Sequence, residues 1–339
     1  MAYPLPRDFQ LSLRDLRPAF QGLRSPECIL TNRDGSFLFS DRRGGITHVP
    51  AGGEAELIAG KTIDGKTIHS NGIGLRSSGK VLIAHLGEAQ GGVYELDAQG
   101  NATPVVVELE GRGLPPTNFV LEDAAGNVWF TVSTRLIPRS LAWYPDQADG
   151  YIAVHNAKGT RILADQLGYA NELTFSPDGL HVYVNETHAR RLTRFLLKPG
   201  PTLANREVVC TFEPGDQPDG VTFDACGGAW VTCLVSNKVF VVHPDGTRQL
   251  VLADTDRGHV ERYVADMQGR RLTRDSIWTC GASSLGNVSS ICFGGADRRT
   301  AYLGSLLGER VLSFESPLPG HPPLHWNRRF GAAPTPGKS

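Results

Sequence analysis

The strongest constraint on the fold is a short unit that recurs six times along the chain. Each copy has a glycine-containing turn, an apolar strand, a gap and a second strand. The clearest copy opens with Asn171-Glu172 and a strand at 173–175. It then passes through the turn Ser176-Pro177-Asp178-Gly179 to a strand at 181–184, and a third strand begins near Arg191. Proline pre-sets φ within such a turn and glycine accepts positive φ, so the segment reads as a hairpin. Turns ending at Gly35, Gly79, Gly126, Gly179 and Gly227 are 44, 47, 53 and 48 residues apart, and the last copy, at Gly295, follows after a longer interval. Roughly 40–50 residues is the period of a four-stranded propeller blade. The repeat therefore predicts an all-β protein, a six-bladed β-propeller. It would form one domain over residues 1–330, followed by a loose Pro-rich tail at 331–339. Alternating apolar residues at 9–16 are expected to supply the strand that closes the ring onto the last blade.

Composition agrees with this reading. The 39 glycines and 22 prolines suit many short strands separated by turns. A net charge of −1 offers no attraction to nucleic acid or to an anionic membrane. The apolar runs are strand-length, so none is expected to span a bilayer. The first residues lack the basic and apolar regions of a secretory signal. Cys28, Cys210, Cys226, Cys233, Cys280 and Cys292 are scattered, with no C-x-x-C pair. Reduced thiols in a cytoplasmic protein are the expectation; oligomeric state is not readable.

Two intervals exceed the length a blade needs. Residues 134–159 carry Leu136, Ile137, Leu141, Trp143 and Tyr144. Residues 254–285 carry charged runs and an amphipathic helix expected at 260–268. Long insertions in a compact domain often serve as lids or binding loops, and both are read that way.

The candidate chemistry lies just ahead of the turns. Glu27, Asn118, Asn171 and Asp219 each stand eight residues before their turn glycines, Gly35, Gly126, Gly179 and Gly227. Equivalent positions on different blades should converge at one end of the central channel. Two carboxylates and two amide carbonyls are hard oxygen donors, suited to Ca²⁺ or Mg²⁺, so a metal site is expected in the channel. Asn71 has the same offset from Gly79 and is either a substrate contact or a loop residue. Ser289 occupies the comparable zone of the sixth blade. His85, His155, His188 and His259 are general-base candidates by residue type only, with His188 the weakest because it falls near the outer strands. No Gly-x-Ser-x-Gly elbow, phosphate loop or His-Glu-x-x-His motif is present.

The motifs Ser25-Pro-Glu-Cys28, Tyr169-Ala-Asn-Glu-Leu-Thr-Phe-Ser-Pro-Asp-Gly179, Gln217-Pro-Asp-Gly-Val-Thr-Phe-Asp224 and Cys292-Phe-Gly-Gly295 resemble the gluconolactonase/regucalcin (senescence marker protein) family. They do so in the family's order and over most of the chain. The segment from Asn185 to Phe195 is similar to strictosidine synthase-like proteins, a related propeller group. The resemblance implies a divalent metal, usually Ca²⁺, held at Glu27, Asn171 and Asp219, with Asn118 as ligand or substrate contact. Diisopropyl fluorophosphatase uses a similar metal set. Cages of this group also take Mg²⁺, Mn²⁺ or Zn²⁺.

The chain departs from the family's sugar lactonases at two points. Pro116 stands where Arg is usual, and Glu172 stands where Gly is usual. The lost Arg implies a small-molecule substrate less polar than a sugar lactone, contacted by Leu114, Asn118, Phe119 or Leu136, with Asn71 and Glu172 as further contacts. The implied activity is metal-assisted hydrolysis of a lactone or related ester. Asp219 would be the catalytic residue, as base, nucleophile or metal ligand only. Phosphotriesterase-type or non-hydrolytic chemistry at the same pocket, and a non-enzymatic calcium- or ligand-binding propeller, are the competing readings.

Overall fold

The computed structural model describes residues 3–332. Six four-stranded antiparallel sheets form the blades. Their innermost strands are Ile29–Thr31, Ser70–Leu75, Thr117–Glu122, Ala170–Phe175, Asp216–Phe223 and Val288–Gly294. Each contacts the innermost strand of the next blade, and the last contacts the first, which closes a ring around the axis. The protein is thus an all-β, six-bladed β-propeller.

The repeated turns have a common physical basis. In the third blade Asp123 accepts the backbone N–H groups of Ala125 and Asn127, both at 2.9 Å, and the indole N–H of Trp129 at 2.8 Å. In the fifth, Asp224 accepts from Cys226, Gly228 and the Trp230 indole at 2.8, 3.0 and 2.9 Å. One carboxylate therefore folds the turn and anchors the core tryptophan of the following strand. Gly126 and Gly227 complete these turns at φ of 81° and 90°. Trp230 is fully buried and packs against Phe293 and Phe314 of the next blade. Trp230→Ala is expected to lower unfolding free energy by about 3–5 kcal/mol in urea titrations. A loss below about 1 kcal/mol would show that this packing contributes little.

The ring closes differently from the sequence expectation. Residues 9–16 do not form the closing strand. Leu13–Asp15 is a 3₁₀ turn capped by Ser12, while Phe9, Leu11 and Leu16 pack on the apolar cluster around Trp230. The closing strand is Arg17–Gln21, the outermost strand of the sixth blade, paired antiparallel with Arg310–Glu315. Pro18 is tolerated there because an edge strand has one side free of ladder bonds, and a bulge follows it.

The first insertion is shorter than its sequence reading, since Gly150–Asn156 is the third strand of its blade. It contains a 3₁₀ turn, Arg139–Ala142. The second insertion holds helix α1, Arg257–Gln268, and the short helix α2, Arg274–Ile277. α1 begins three residues ahead of its expected start because Asp256 caps it, accepting the His259 backbone N–H at 2.9 Å. Among the described residues no helix is long and apolar enough to cross a membrane. The C-terminal segment crosses the turn end of the channel: Arg33 donates to the Trp326 carbonyl, Arg328 to that of Leu75 and Gly331 to that of Gly79. Of the expected tail at 331–339, residues 333–339 lie outside the described residues.

Candidate active site

Glu27 stands just ahead of its inner strand, and the other residues at the common offset sit on irregularities of theirs. Register shifts lie between Ser70 and Ile73, Thr117 and Phe119, Ala170 and Leu173, Pro218 and Val221, and Val288 and Ser290. Asn71, Asn118, Asn171, Asp219 and Ser289 fall inside these shifts, where an extra residue re-aims a side chain. Hydroxyls of the second strands hold the bulges. Thr131 accepts the Phe119 N–H at 3.1 Å and donates to the Asn171 carbonyl at 2.9 Å. Thr232 accepts the Gly220 N–H at 3.0 Å and donates to the Ser289 carbonyl at 2.7 Å. Each hydroxyl fixes its own bulge and ties it to the next blade.

Glu27, Asn71, Asn118, Asn171 and Asp219 line one cavity of about 70 Å³ at the N-terminal ends of the inner strands. Asn71 donates to Glu27 Oε1 and to the Asn118 carbonyl, both at 3.0 Å. Asn171 donates to Thr187 Oγ1 at 2.9 Å, which turns its own carbonyl oxygen the other way. Glu27 Oε2, Asn118 Oδ1, Asn171 Oδ1 and Asp219 Oδ2 are buried, and each lacks a hydrogen-bond partner among the described residues. Buried polar atoms are normally paired, so an orphaned oxygen on each of four residues lining one cavity calls for a ligand. Two carboxylate and two amide oxygens fit a hard divalent cation. No group of three or more His, Cys, Asp or Glu side chains placed to hold a metal occurs among the described residues. The candidate cage is therefore this mixed carboxylate–amide set.

Its electrostatics match that fit. Burial pushes the Glu27 carboxyl up to about 8, against the opposing effects of Arg139 and the Asn71 hydrogen bond. Burial, then the charges of Glu27 and Glu172, raise Asp219 well above the usual carboxylate range. Burial and Glu27 raise Glu172 likewise. Carboxylates crowded in a desolvated space without a counter-ion hold protons, and a divalent cation would remove that penalty.

Other residues named from sequence lie elsewhere. Glu172 turns down the channel, accepting the Val221 N–H at 3.1 Å, and with Phe119 lines a larger cavity of about 450 Å³ at the turn end. Leu114 is buried in the core with Val93 and Val106. Leu136 packs in the cluster around Trp143 and Tyr263. None of the four is on the cage cavity, because each is carried away from it by strand alternation or core packing. Ser289 donates to the Glu27 backbone carbonyl at 3.1 Å, supporting the cage from below.

His188 is corrected in the other direction. It lines the cavity, with its ring 4.5 Å from that of Tyr169 and its Nδ1 unpartnered. Burial, then the charges of Arg190 and Arg139, hold it down to about 3, so the imidazole is neutral. His85 accepts the His69 N–H at 3.0 Å, His155 bonds Thr160 and His259 lies on α1; none of these lines the cavity. Sequence reasoning also missed Arg139, Trp143, Tyr169, Gln217 and Trp278 on its wall. Gln217 carries both amide atoms buried and unpartnered, and it stands two residues before Asp219, the one local signal available. The two insertions meet here, Arg139 and Trp143 coming from the first and Ile277 and Trp278 from the second.

A six-bladed propeller with an oxygen-lined cavity at one end of its axis defines a class, and comparison with known proteins gives the family. The chain belongs to the SMP-30/Gluconolactonase/LRE-like family, whose model matches residues 20–254, more than half of the 339 residues. It is 26% identical over 201 residues to Lactonase drp35 of Staphylococcus saprophyticus, covering 56% of this chain and 58% of the relative. It is 27% identical over 178 residues to a 6-deoxy-6-sulfogluconolactonase of Pseudomonas putida, covering 51% of this chain and 57% of the relative. The chain thus spans little more than half the length of these curated relatives. Among solved structures, a gluconolactonase of Xanthomonas campestris superposes with a TM-score of 0.63 at 19% identity, covering 90% of this chain and 89% of that one. A calcium-binding regucalcin of Agrobacterium tumefaciens gives 0.59 at 17%, covering 94% and 95%. At these identities the structural similarities establish the shared fold.

Proposed function

We propose that this protein is a divalent-metal-dependent hydrolase that opens a lactone, with Ca²⁺ as the preferred ion. The observation that carries the reading is the set of four orphaned, buried oxygens on Glu27, Asn118, Asn171 and Asp219 around one cavity. Family membership and the lactonases among its relatives support it. The four side chains would hold the cation, which when bound supplies polarisation of the lactone carbonyl and charge to meet the developing oxyanion.

The chain's own residues do the rest. Asp219 is held in place through its backbone, since Asn185 donates to the carbonyls of Asp219 and Gly220 at 2.9 and 3.1 Å. Its carboxylate is the group placed to take the proton of the attacking water. Gln217 offers one donor and one acceptor beside it, and the neutral His188 offers a ring nitrogen to a substrate or product hydroxyl. Trp143, Tyr169, Leu234 and Trp278 wall the cavity and exclude bulk water. The indole of Trp143 donates to the Tyr169 hydroxyl at 3.1 Å, which fixes the wall.

The expectation of a weakly polar substrate rested on Pro116 in place of Arg, and Leu114, Phe119 and Leu136, its expected contacts, are not on this cavity. The polarity of the substrate is therefore to be read from the residues that are.

The test is a lactone and ester panel followed by pH-stat titration, on metal-replete protein and on protein stripped with chelator. Ring opening that disappears with chelator and returns with Ca²⁺ is expected. Acid release from none of the lactones or esters would overturn the hydrolase reading and favour a ligand-binding propeller.

A further inference from the structure

Arginines from separate segments gather beside one wall of the cage cavity. Arg139 lines it directly, from the 3₁₀ turn of the first insertion. The guanidinium carbon of Arg42 lies 4.2 Å from the centre of the Trp278 ring, and that of Arg274 lies 5.4 Å from the same ring. Trp278 is itself part of the cavity wall. Arg42 comes from the turn between Phe37–Ser40 and Ile46–Val49 of the first blade, and Arg274 from the first position of α2. Neither Arg42 nor Arg274 could be placed beside the cage from its position in the chain.

These side chains meet no counter-charge where they gather. Among the described residues, none of the three forms an ion pair or a side-chain hydrogen bond. Neighbouring arginines behave differently: Arg43 pairs with Asp41, Arg135 with Asp165 and Arg270 with Asp146, at 2.7, 2.8 and 2.8 Å. Arg42 is instead disfavoured in its charged form by partial burial and by the charges of Arg274 and Arg139. Like charges gathered beside one cavity wall are unfavourable until an anion joins them. Guanidinium groups are suited to that role, because their planar forks match carboxylate, sulfonate and phosphate oxygens and also stack on indole. A cation in the cage would balance the carboxylates of the floor and leave the rim positive.

We propose that the substrate of this site is an anionic lactone, carrying a carboxylate, sulfonate or phosphate on the arm that faces away from the cage. Arg42, Arg139 and Arg274 bind that anionic group, and Trp278 serves as the platform that positions two of the guanidiniums. This rests on the lactonase reading and adds its substrate class. The floor of the pocket selects the lactone carbonyl, and the rim selects the charge of the remainder.

The test uses the metal-replete protein and matched γ-butyrolactones. Three carry a carboxylate, a sulfonatomethyl or a phosphatomethyl group at the γ-carbon, and the fourth carries a neutral carboxamide. At low ionic strength the best anionic lactone is expected to exceed the carboxamide in kcat/KM by about tenfold or more. That preference should shrink as salt is raised. Its identity among the three arms names the anionic group. In the double variant Arg42→Gln/Arg139→Gln the anionic-to-neutral ratio is expected to fall by about tenfold. Equal rates for anionic and neutral lactones in the parent, or an unchanged ratio in the variant, would overturn the anion site and leave lactone opening intact. If no lactone is opened, the hydrolase reading fails, and calorimetric titration with the ring-opened hydroxy acids decides the anion site separately. Tighter binding of an anion-bearing acid than of its carboxamide counterpart, lost in the double variant, would support it. Equal binding would overturn it.

Discussion

Asp219→Asn is expected to leave the protein folded and to lower kcat/KM for lactone opening by about 10³-fold. The exchange keeps size and one carbonyl oxygen while removing the charge and the second acceptor. The backbone at this position is held by Asn185 and by the Thr232 hydroxyl, so it does not depend on the side chain for its place. The carboxylate is also a burden on the metal-free fold. It is buried, it faces the charges of Glu27 and Glu172, and its proton affinity is raised accordingly. The metal-free variant should therefore melt no lower than the metal-free parent, which separates chemistry from folding. Rates by pH-stat and melts in chelator provide both readings. Activity within about threefold of the parent would remove Asp219 from the reaction. A large drop in melting temperature without loss of turnover per folded molecule would assign it to structure.

The second large effect is on stability. Stripped protein to which Ca²⁺ is restored at about a thousand times its dissociation constant should gain about 4 kcal/mol. For a chain of this size that corresponds to roughly 6 °C in melting temperature. The reason is local: four buried oxygens lack partners, and two of them belong to carboxylates whose charged forms are disfavoured by burial. Cation binding supplies the missing partner and the missing charge together. Asn171→Ala removes one neutral donor and should shrink the gain, whereas the Asn171 backbone carbonyl stays bonded to Thr131. Melting curves that do not move with Ca²⁺, Mg²⁺, Mn²⁺, Zn²⁺ or chelator would overturn the cage. So would elemental analysis finding far less than about one metal per chain in protein never exposed to chelator.

The readings that held up rest on local patterns. Turn glycines and the short apolar strands between them each depend on residues close in sequence, so the blades and their number could be read directly. The common offset of Glu27, Asn118, Asn171 and Asp219 is also local, since it counts residues along a strand from its turn. Glu172 and Phe119 show where such counting fails. Each follows a cage-facing residue, and on a strand the next side chain points the other way, here into the turn end of the channel. Residues 9–16 carry the alternation of a strand, yet that alternation serves to pack Phe9 and Leu11 on the outside of the fifth and sixth blades. The true closing strand, Arg17–Gln21, carries Pro18 and accepts it because that strand is an edge.

His188, Arg139 and Trp278 mark the other boundary. No spacing relates them to Asp219; Arg139 and Trp278 come from two insertions that pack over one end of the axis, and His188 from the turn after His181–Glu186 of the fourth blade. The chain alone determined the repeat, the ring of six blades and a set of oxygen-bearing residues at one level, because each is a property of short-range periodicity. The tertiary structure decided which side chains the bulges turn inward and which insertion residues, Arg139 and Trp278 among them, line the cavity. It also decided that four oxygens lining one cavity lack partners among the described residues. Those are properties of long-range packing and desolvation, and they exist only once distant segments share one space.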